Sequence, residues 1–291
     1  MSRRRQGGAL LLMVSLLLAT LAALAFGMNR AGSAELRAIN DDYEGRAADY
    51  LAQAGVAAAR WSSQVGGCNR ANIPRTTLGA GAFTASVSGS DKLAISVTAT
   101  VNGASRTLAR TGVVVYDLTD LSSTDVSDDA LDTTIAPLSI LPENERPTLN
   151  LFSGTAHALL YWKLDEVGHD ELVVSAILTL TQEGAGIARR VAVHRVTTAW
   201  DKNASWYRPR GAGSWNNGGD YSSVVLASTS VAAGNASWDL TGIVDAWVSE
   251  RLLNQGLLLR LEDPLQSVSF YSQEASSSRR PVLRVITAEE C

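Results

Sequence analysis

The chain has 291 residues, 46% apolar and 19% charged, enough for one large or two medium domains with real cores, so disorder throughout is excluded. A net charge of -4 argues against nucleic acid as a partner, because a phosphate binder needs concentrated cationic charge to displace counterions. The only cysteines, Cys68 and Cys291, fit no zinc or redox spacing.

Arg3, Arg4 and Arg5 precede an apolar run from Gly8 to Met28 that only Ser15 and Thr20 interrupt. About 20 such residues are what a helix needs to cross a bilayer. The arginines hold the N-terminus in the cytoplasm and send the rest outward. A secretory signal peptide would share these features, and Ala23-Leu24-Ala25 supplies a cleavage pattern. Against it, Leu36, Ile39, Tyr43, Ala47, Tyr50, Leu51, Ala54 and Ala58 recur at spacings of three and four up to Trp61, so one helix is expected to continue past that site. At ~1.5 Å per residue, roughly 50 residues make a rod of about 80 Å. Gly27, Gly32, Gly45 and Gly55 are expected to bend or loosen it, each by about 1 kcal/mol relative to Ala.

The basic leader, the glycine, Ala-Leu-Leu, the apolar stretch and the continuing helix through Ala47-Ala48-Asp49-Tyr50-Leu51-Ala52-Gln53-Ala54-Gly55-Val56 resemble the N-terminal region of type IV pilins, PilX-like and MSHA-type minor pilins in particular. The resemblance implies a leader of residues 1–7 removed by a prepilin peptidase at the Gly7–Gly8 bond, with Gly8–Ala9 the neighbouring option. It implies a helix over 8–65 whose part 8–28 serves first in the inner membrane and then in a filament core. Other pilin subunits and the inner-membrane assembly machinery are the implied partners. Major pilins carry a glutamate at the fifth mature position; Leu12 stands there, and no acid occurs before Glu35. That departure suggests a place at the filament tip.

After Gly66-Gly67-Cys68, alternating runs at 82–87, 93–101 and 105–116 predict a three-stranded meander, with Asn102-Gly103 as the hairpin signal. The helix over 34–61 would cover its apolar face. For an exported chain, a disulfide between Cys68 and Cys291 is the better reading of the two thiols. Residues 117–131 turn acidic with Asp117, Asp120, Asp125, Asp128 and Asp129, and are read as a solvated linker, since no turn glycine completes a calcium loop.

From 132 onward short strands dominate: 158–164, 173–181, 191–196, 256–261, 267–272 and 281–286. Their turn-separated spacing points to a two-sheet all-β domain over 132–288. Asp239 to Val248 reads as one amphipathic helix with Leu240, Ile243, Val244, Trp247 and Val248 on one face. The order His194-Arg195-Val196-Thr197-Thr198-Ala199-Trp200, then Gly256-Leu257-Leu258-Leu259-Arg260, Phe270-Tyr271-Ser272 and Arg280-Pro281 resembles the DNRLRE family of secreted β-sandwiches, which is related to carbohydrate-binding modules. The family's opening is degraded here to Asp132-Thr133-Thr134-Ile135 and Asn144-Glu145-Arg146. The class expected overall is an α+β pilin module, a long helix on a small antiparallel sheet, followed by a jelly-roll-like β-sandwich.

His157, His169 and His194 have no metal-ligand spacing, and no catalytic motif appears, so no enzyme, cofactor or metal is expected. Residues 200–221 are aromatic and amide-rich. Trp200 and Trp215 are expected to cap a core, whereas Trp206, Tyr207, Arg208, Asn216, Asn217 and Tyr221 form the candidate ligand site, with a glycan or a surface protein as the partner. The function these features suggest is a minor pilin displaying the β-sandwich for adhesion. The rivals are a pseudopilin-like component that primes assembly and a secreted carbohydrate-binding protein cut after Ala25.

Overall fold

The structure, a computed structural model, describes residues 6–90, 92–126, 130–137, 145–210 and 213–291; in the first helix the side chains of 6–17, 23–34 and 36 lie outside the description. The chain divides into two units, Met1–Val115 and Tyr116–Cys291.

In the first unit, α1 (Gln6–Val65) is followed by β1 (Ile73–Leu78), β2 (Gly81–Ser88), β3 (Leu93–Val101) and β4 (Ala104–Val113), which pair in chain order as one antiparallel sheet. The Asn102-Gly103 hairpin forms with φ of 47° and 100°, the doubly positive turn whose twist suits its flanking strands. The sequence did not reveal β1, since Pro74 and exposed polar residues suit an edge strand that carries little apolar signal. β3 buries Leu93, Ile95, Val97, Ala99 and Val101, and α1 packs on the sheet.

The helix meets the sheet on another face than its large apolar residues suggest. Gly45, Ala48, Leu51, Ala52, Gly55, Ala59 and Ser63 are buried, whereas Ile39, Tyr43, Tyr50 and Trp61 are 62%, 71%, 71% and 64% exposed. At about 100° per residue the two sets lie on opposite sides of the helix. Close approach explains the choice: a Cβ on Gly55 would stand 2.5 Å from Val97 Cγ1 and 2.9 Å from Phe83 Cδ2. Gly55 therefore does more than loosen the rod: it lets the helix lie on the strands. At Gly45 an added Cβ meets only the Arg106 guanidinium, at 3.0 Å, which swings aside. Gly45→Ala is thus expected to stabilise the unit by up to about 1 kcal/mol. Gly55→Ala should destabilise it by about 1–2 kcal/mol despite the same propensity gain, because packed neighbours must yield. Far-UV circular dichroism melts of the two variants shift in opposite directions if this packing is right.

Among the described residues no helix is long and apolar enough to cross a membrane. The expected span, 8–28, falls largely on side chains outside the description; leader residues 1–5 lie outside it altogether, and Gly7 and Gly8 are described only as helical backbone.

The second unit contains β5 (Tyr116–Val126), β6 (Leu131–Ile135), β7 (Thr148–Phe152), β8 (His157–Tyr161), β9 (Leu172–Val196), β10 (Tyr221–Asp239), α2 (Thr241–Val248), β11 (Leu257–Leu261), β12 (Ser267–Tyr271) and β13 (Val282–Glu290). β9 and β10 form one long antiparallel ribbon. The first half of β9 pairs with β13, which pairs with β5; its last residues pair with β11, followed by β8 and β6. Two sheet halves thus share a continuous ribbon, and β12 pairs with β7 beside Gln182. The main core gathers Leu178, Leu180, Val193, Leu259, Phe270 and Leu283 around Trp238. α2 buries Ile243, Val244, Trp247 and Val248 as its spacing predicts. Asp239 Oδ1 accepts the Thr241 N–H at 3.0 Å, and Thr241 Oγ1 accepts the Ala176 N–H, so the helix start is tied to β9.

Three expectations are corrected here. The α+β class with a jelly-roll-like sandwich does not describe the chain: it is mostly β, and of α1 only Gly45 to Ser63 contributes buried positions among the described residues. Segments 173–181 and 191–196, read as separate strands, are one 25-residue strand, because Glu183 to Arg190 stay extended though mostly exposed. The acidic stretch is no linker over 117–126 but strand β5, clamped to β13 by Arg284, whose Nε and Nη2 donate to Asp125 at 2.6 and 2.7 Å. Charged side chains along an edge discourage pairing with other chains, so acidity and strand are compatible. Residues 127–129 lie outside the described residues. Cys68 and Cys291, the only two cysteines, are disulfide-bonded.

Candidate functional site

On β6, β8, β11 and the end of β9, alternate side chains take opposite faces. Ala158, Leu160, Leu257, Leu259 and Val193 enter the main core, while Ile135, Leu159, Leu258 and Val196 look the other way. His157, Arg260 and His194 share that second face, since Ile135 pairs with His157 and Leu258 with His194. An antiparallel sheet commonly leaves such a face to water. Here residues 197–210 and 213–220 fold across it and set Ala204, Trp206 and Trp215 on it. Burial on both faces is why Leu257-Leu258-Leu259 is apolar without alternation.

The covering segment is pinned by its own hydrogen bonds. Asp220 accepts the Asn216 N–H and Nδ2–H at 2.9 and 2.7 Å and the Thr198 hydroxyl at 2.9 Å. Trp215 Nε1 donates to the Ser205 carbonyl at 3.0 Å, and the Gly218 N–H to the Trp206 carbonyl at 3.0 Å. Gly218, at φ 88°, lies so close under Trp206 that a Cβ would stand 2.9 Å from the indole.

The candidate residues therefore separate. Trp206, expected at the surface, is 7% exposed and packs against His157, with ring centroids 5.2 Å apart and planes tilted by 40°. Its large apolar area finds the sheet face closer than any ligand. Tyr221 is half-buried: its hydroxyl accepts from Arg260 Nη1 at 2.9 Å, and the His194 ring lies 5.1 Å away. Tyr207, Arg208, Asn216 and Asn217 are exposed, Tyr207 at 46%. Trp215 caps the core as expected, and Trp200 is partly buried with its Nε1 donating to the Gln255 carbonyl at 2.9 Å.

Beside Trp200 a cleft of about 220 Å³ is lined by Leu131, Tyr161, Ala199, Trp200, Asn254 and Gln255. Aromatic and amide groups meet there, the combination sought within residues 200–221. Tyr161, Asn254 and Gln255 were missed because they come from distant segments, and no local pattern joins them.

His157 and His194 both hydrogen-bond to backbone carbonyls through Nδ1, at 2.9 Å from Gly218 and Ser222. His157 Nδ1 lies 2.9 Å from the Gly218 carbonyl and so carries the hydrogen; its Nε2 is buried without a partner. Burial holds its pKa below the ordinary value, and the charges of Arg260 and His194 add to this. A folded-state pKa below the unfolded 6.5 means the unfolded chain takes up the proton first. The neutral ring's contribution is present above that pH and is lost as pH falls below it. His157→Gln should therefore flatten the loss of stability on the acid side of pH 6.5, as read from denaturation midpoints across pH. Equal slopes for both proteins would refute this.

Among the described residues no group of three or more His, Cys, Asp and Glu could hold a metal ion. No known protein family matches the chain, and no curated protein matches it.

Proposed function

We propose that the chain is a minor pilin of a type IV pilus-like filament, built in through its N-terminal helix and displaying the second unit for adhesion or recognition. The observation that carries this reading is the exposed line of Ile39, Tyr43, Tyr50 and Trp61 on the side of α1 away from its sheet. One helix face is satisfied by the sheet; the other offers aromatic and aliphatic surface of the kind that buries against a neighbouring helix. The leader arginines and the apolar run before it support insertion in the inner membrane with the C-terminus outward, then transfer to an extracellular filament. A disulfide fits an oxidising compartment. Leu12 in place of an acid supports a position near the tip.

The mass of the mature N-terminus tests the first half: a start at Gly8 or Ala9 supports it, and a start at Phe26 overturns it. Immunogold labelling of sheared filaments tests assembly. For recognition, Tyr207→Ala is the sounder probe on a glycan array, since truncating Trp206 would also open the sheet beneath it.

A further inference from the structure

Asp132 stands on β6 in register with Leu160, so its side chain is on the main-core side of the sheet. The residue is 4% exposed. Its Oδ2 accepts the Gln273 N–H at 2.8 Å, while Oδ1 is buried and no donor reaches it. Just past β12 the chain turns at Ser272, whose hydroxyl lies 2.6 Å from the Arg146 carbonyl and 2.9 Å from Glu274 Oε2. That hydroxyl has one hydrogen and donates to only one of the two at a time. The same oxygen accepts the Glu274 N–H at 3.1 Å, which brings a second carboxylate, Glu274, to the turn that Asp132 holds.

Burial, then the charge and hydrogen bonding of Glu274, push Asp132 up to about 7. A buried anionic oxygen without a donor is costly, and two neighbouring carboxylates repel. A cation relieves both. The cluster offers carboxylate, hydroxyl and carbonyl oxygens and neither imidazole nor thiolate, which suits a hard cation and not zinc. Glu274 is exposed, so water can complete the coordination.

We propose that Asp132 Oδ1, the Glu274 carboxylate and the oxygens around Ser272 form a divalent-cation site suited to Ca²⁺, which pins the turn after β12 to β6. With two carboxylates and a half-open shell, a dissociation constant on the order of 10⁻⁴–10⁻³ M is expected, the range of extracellular modules. The site is independent of filament assembly, so either proposal can fail alone.

The test uses the full chain, stripped with EDTA near neutral pH and melted with tryptophan fluorescence as the readout while CaCl₂ is raised to about 5 mM. A saturating rise in Tm of about 2–4 °C is expected. It should vanish in Asp132→Asn and shrink in Glu274→Gln, with MgCl₂ a weaker substitute. Asp132→Asn is expected to melt in EDTA no lower than the wild type, because a neutral amide replaces the buried charge; this separates lost binding from lost folding. No calcium response in the wild type, an equal response in Asp132→Asn, or a response confined to Asp132→Asn would each overturn the site, leaving a carboxyl pair that shares a proton.

Discussion

Truncating Trp238 to alanine is expected to remove about 3–5 kcal/mol from the second unit, a large part of the 5–15 kcal/mol that a domain typically holds. The side chain is 1% exposed and lies edge-on to Phe270, with centroids 5.9 Å apart. Its indole Nε1 donates to the Val191 carbonyl at 3.0 Å. In register Trp238 stands beside Leu178, on the first half of β9, while its hydrogen bond reaches the second half of the same strand. Removing it empties a cavity where the two sheet halves diverge and strands a buried acceptor. Trp238→Phe separates these effects: it keeps most of the apolar area and loses the donor, for about 1–3 kcal/mol. Six of the seven tryptophans, Trp162, Trp200, Trp206, Trp215, Trp238 and Trp247, belong to this unit, so fluorescence in denaturant reports on it. A midpoint unmoved in Trp238→Ala, at unchanged slope, would show that the two halves do not depend on this residue.

What the sequence made legible follows the strength of local signals. Asn102-Gly103 specifies its hairpin because only a doubly positive turn fits those two residues between those strands. α2 is legible because its five apolar positions face one core. β10 was not read as a strand: it is rich in serine, alanine and glycine, largely exposed, and held by pairing with β9, which no window of sequence contains. The orientation of α1 was misread for a physical reason, since large residues give a hydrophobic stripe its weight while a helix lying tight on a sheet selects small ones. Trp206 went astray similarly. Its neighbours Tyr207 and Arg208 are exposed, and nothing local says that Trp206 alone turns inward onto His157. The cleft around Tyr161 and Trp200 exists only after β8 and the segment before β11 have been brought together.

Gly256→Ala is expected to destabilise the second unit by about 3–5 kcal/mol, from two costs that add. The residue has φ 82°, where an L side chain costs about 1–2 kcal/mol. A Cβ would also stand 2.4 Å from the Leu160 carbonyl oxygen and 3.2 Å from Tyr161 Cβ. That oxygen is backbone of the strand with which Leu257 pairs, so no rotamer change relieves the overlap. Either β8 and β11 separate or the turn before β11 unwinds. Separation disturbs Leu257, Leu258 and Leu259, all 0% exposed and packed on both faces of the sheet. Unwinding breaks the Val196 N–H bond to the Gly256 carbonyl and the Gly256 N–H bond to Asn254 Oδ1, each 3.0 Å, and with them the wall of the cleft beside Trp200. Gly242→Ala in α2 is the internal comparison: nothing lies within 4 Å of its added Cβ, so it should gain up to about 1 kcal/mol from helix propensity. If the two glycine variants shift the fluorescence-detected midpoint alike, the close approach at Gly256 is not what holds β11 in place.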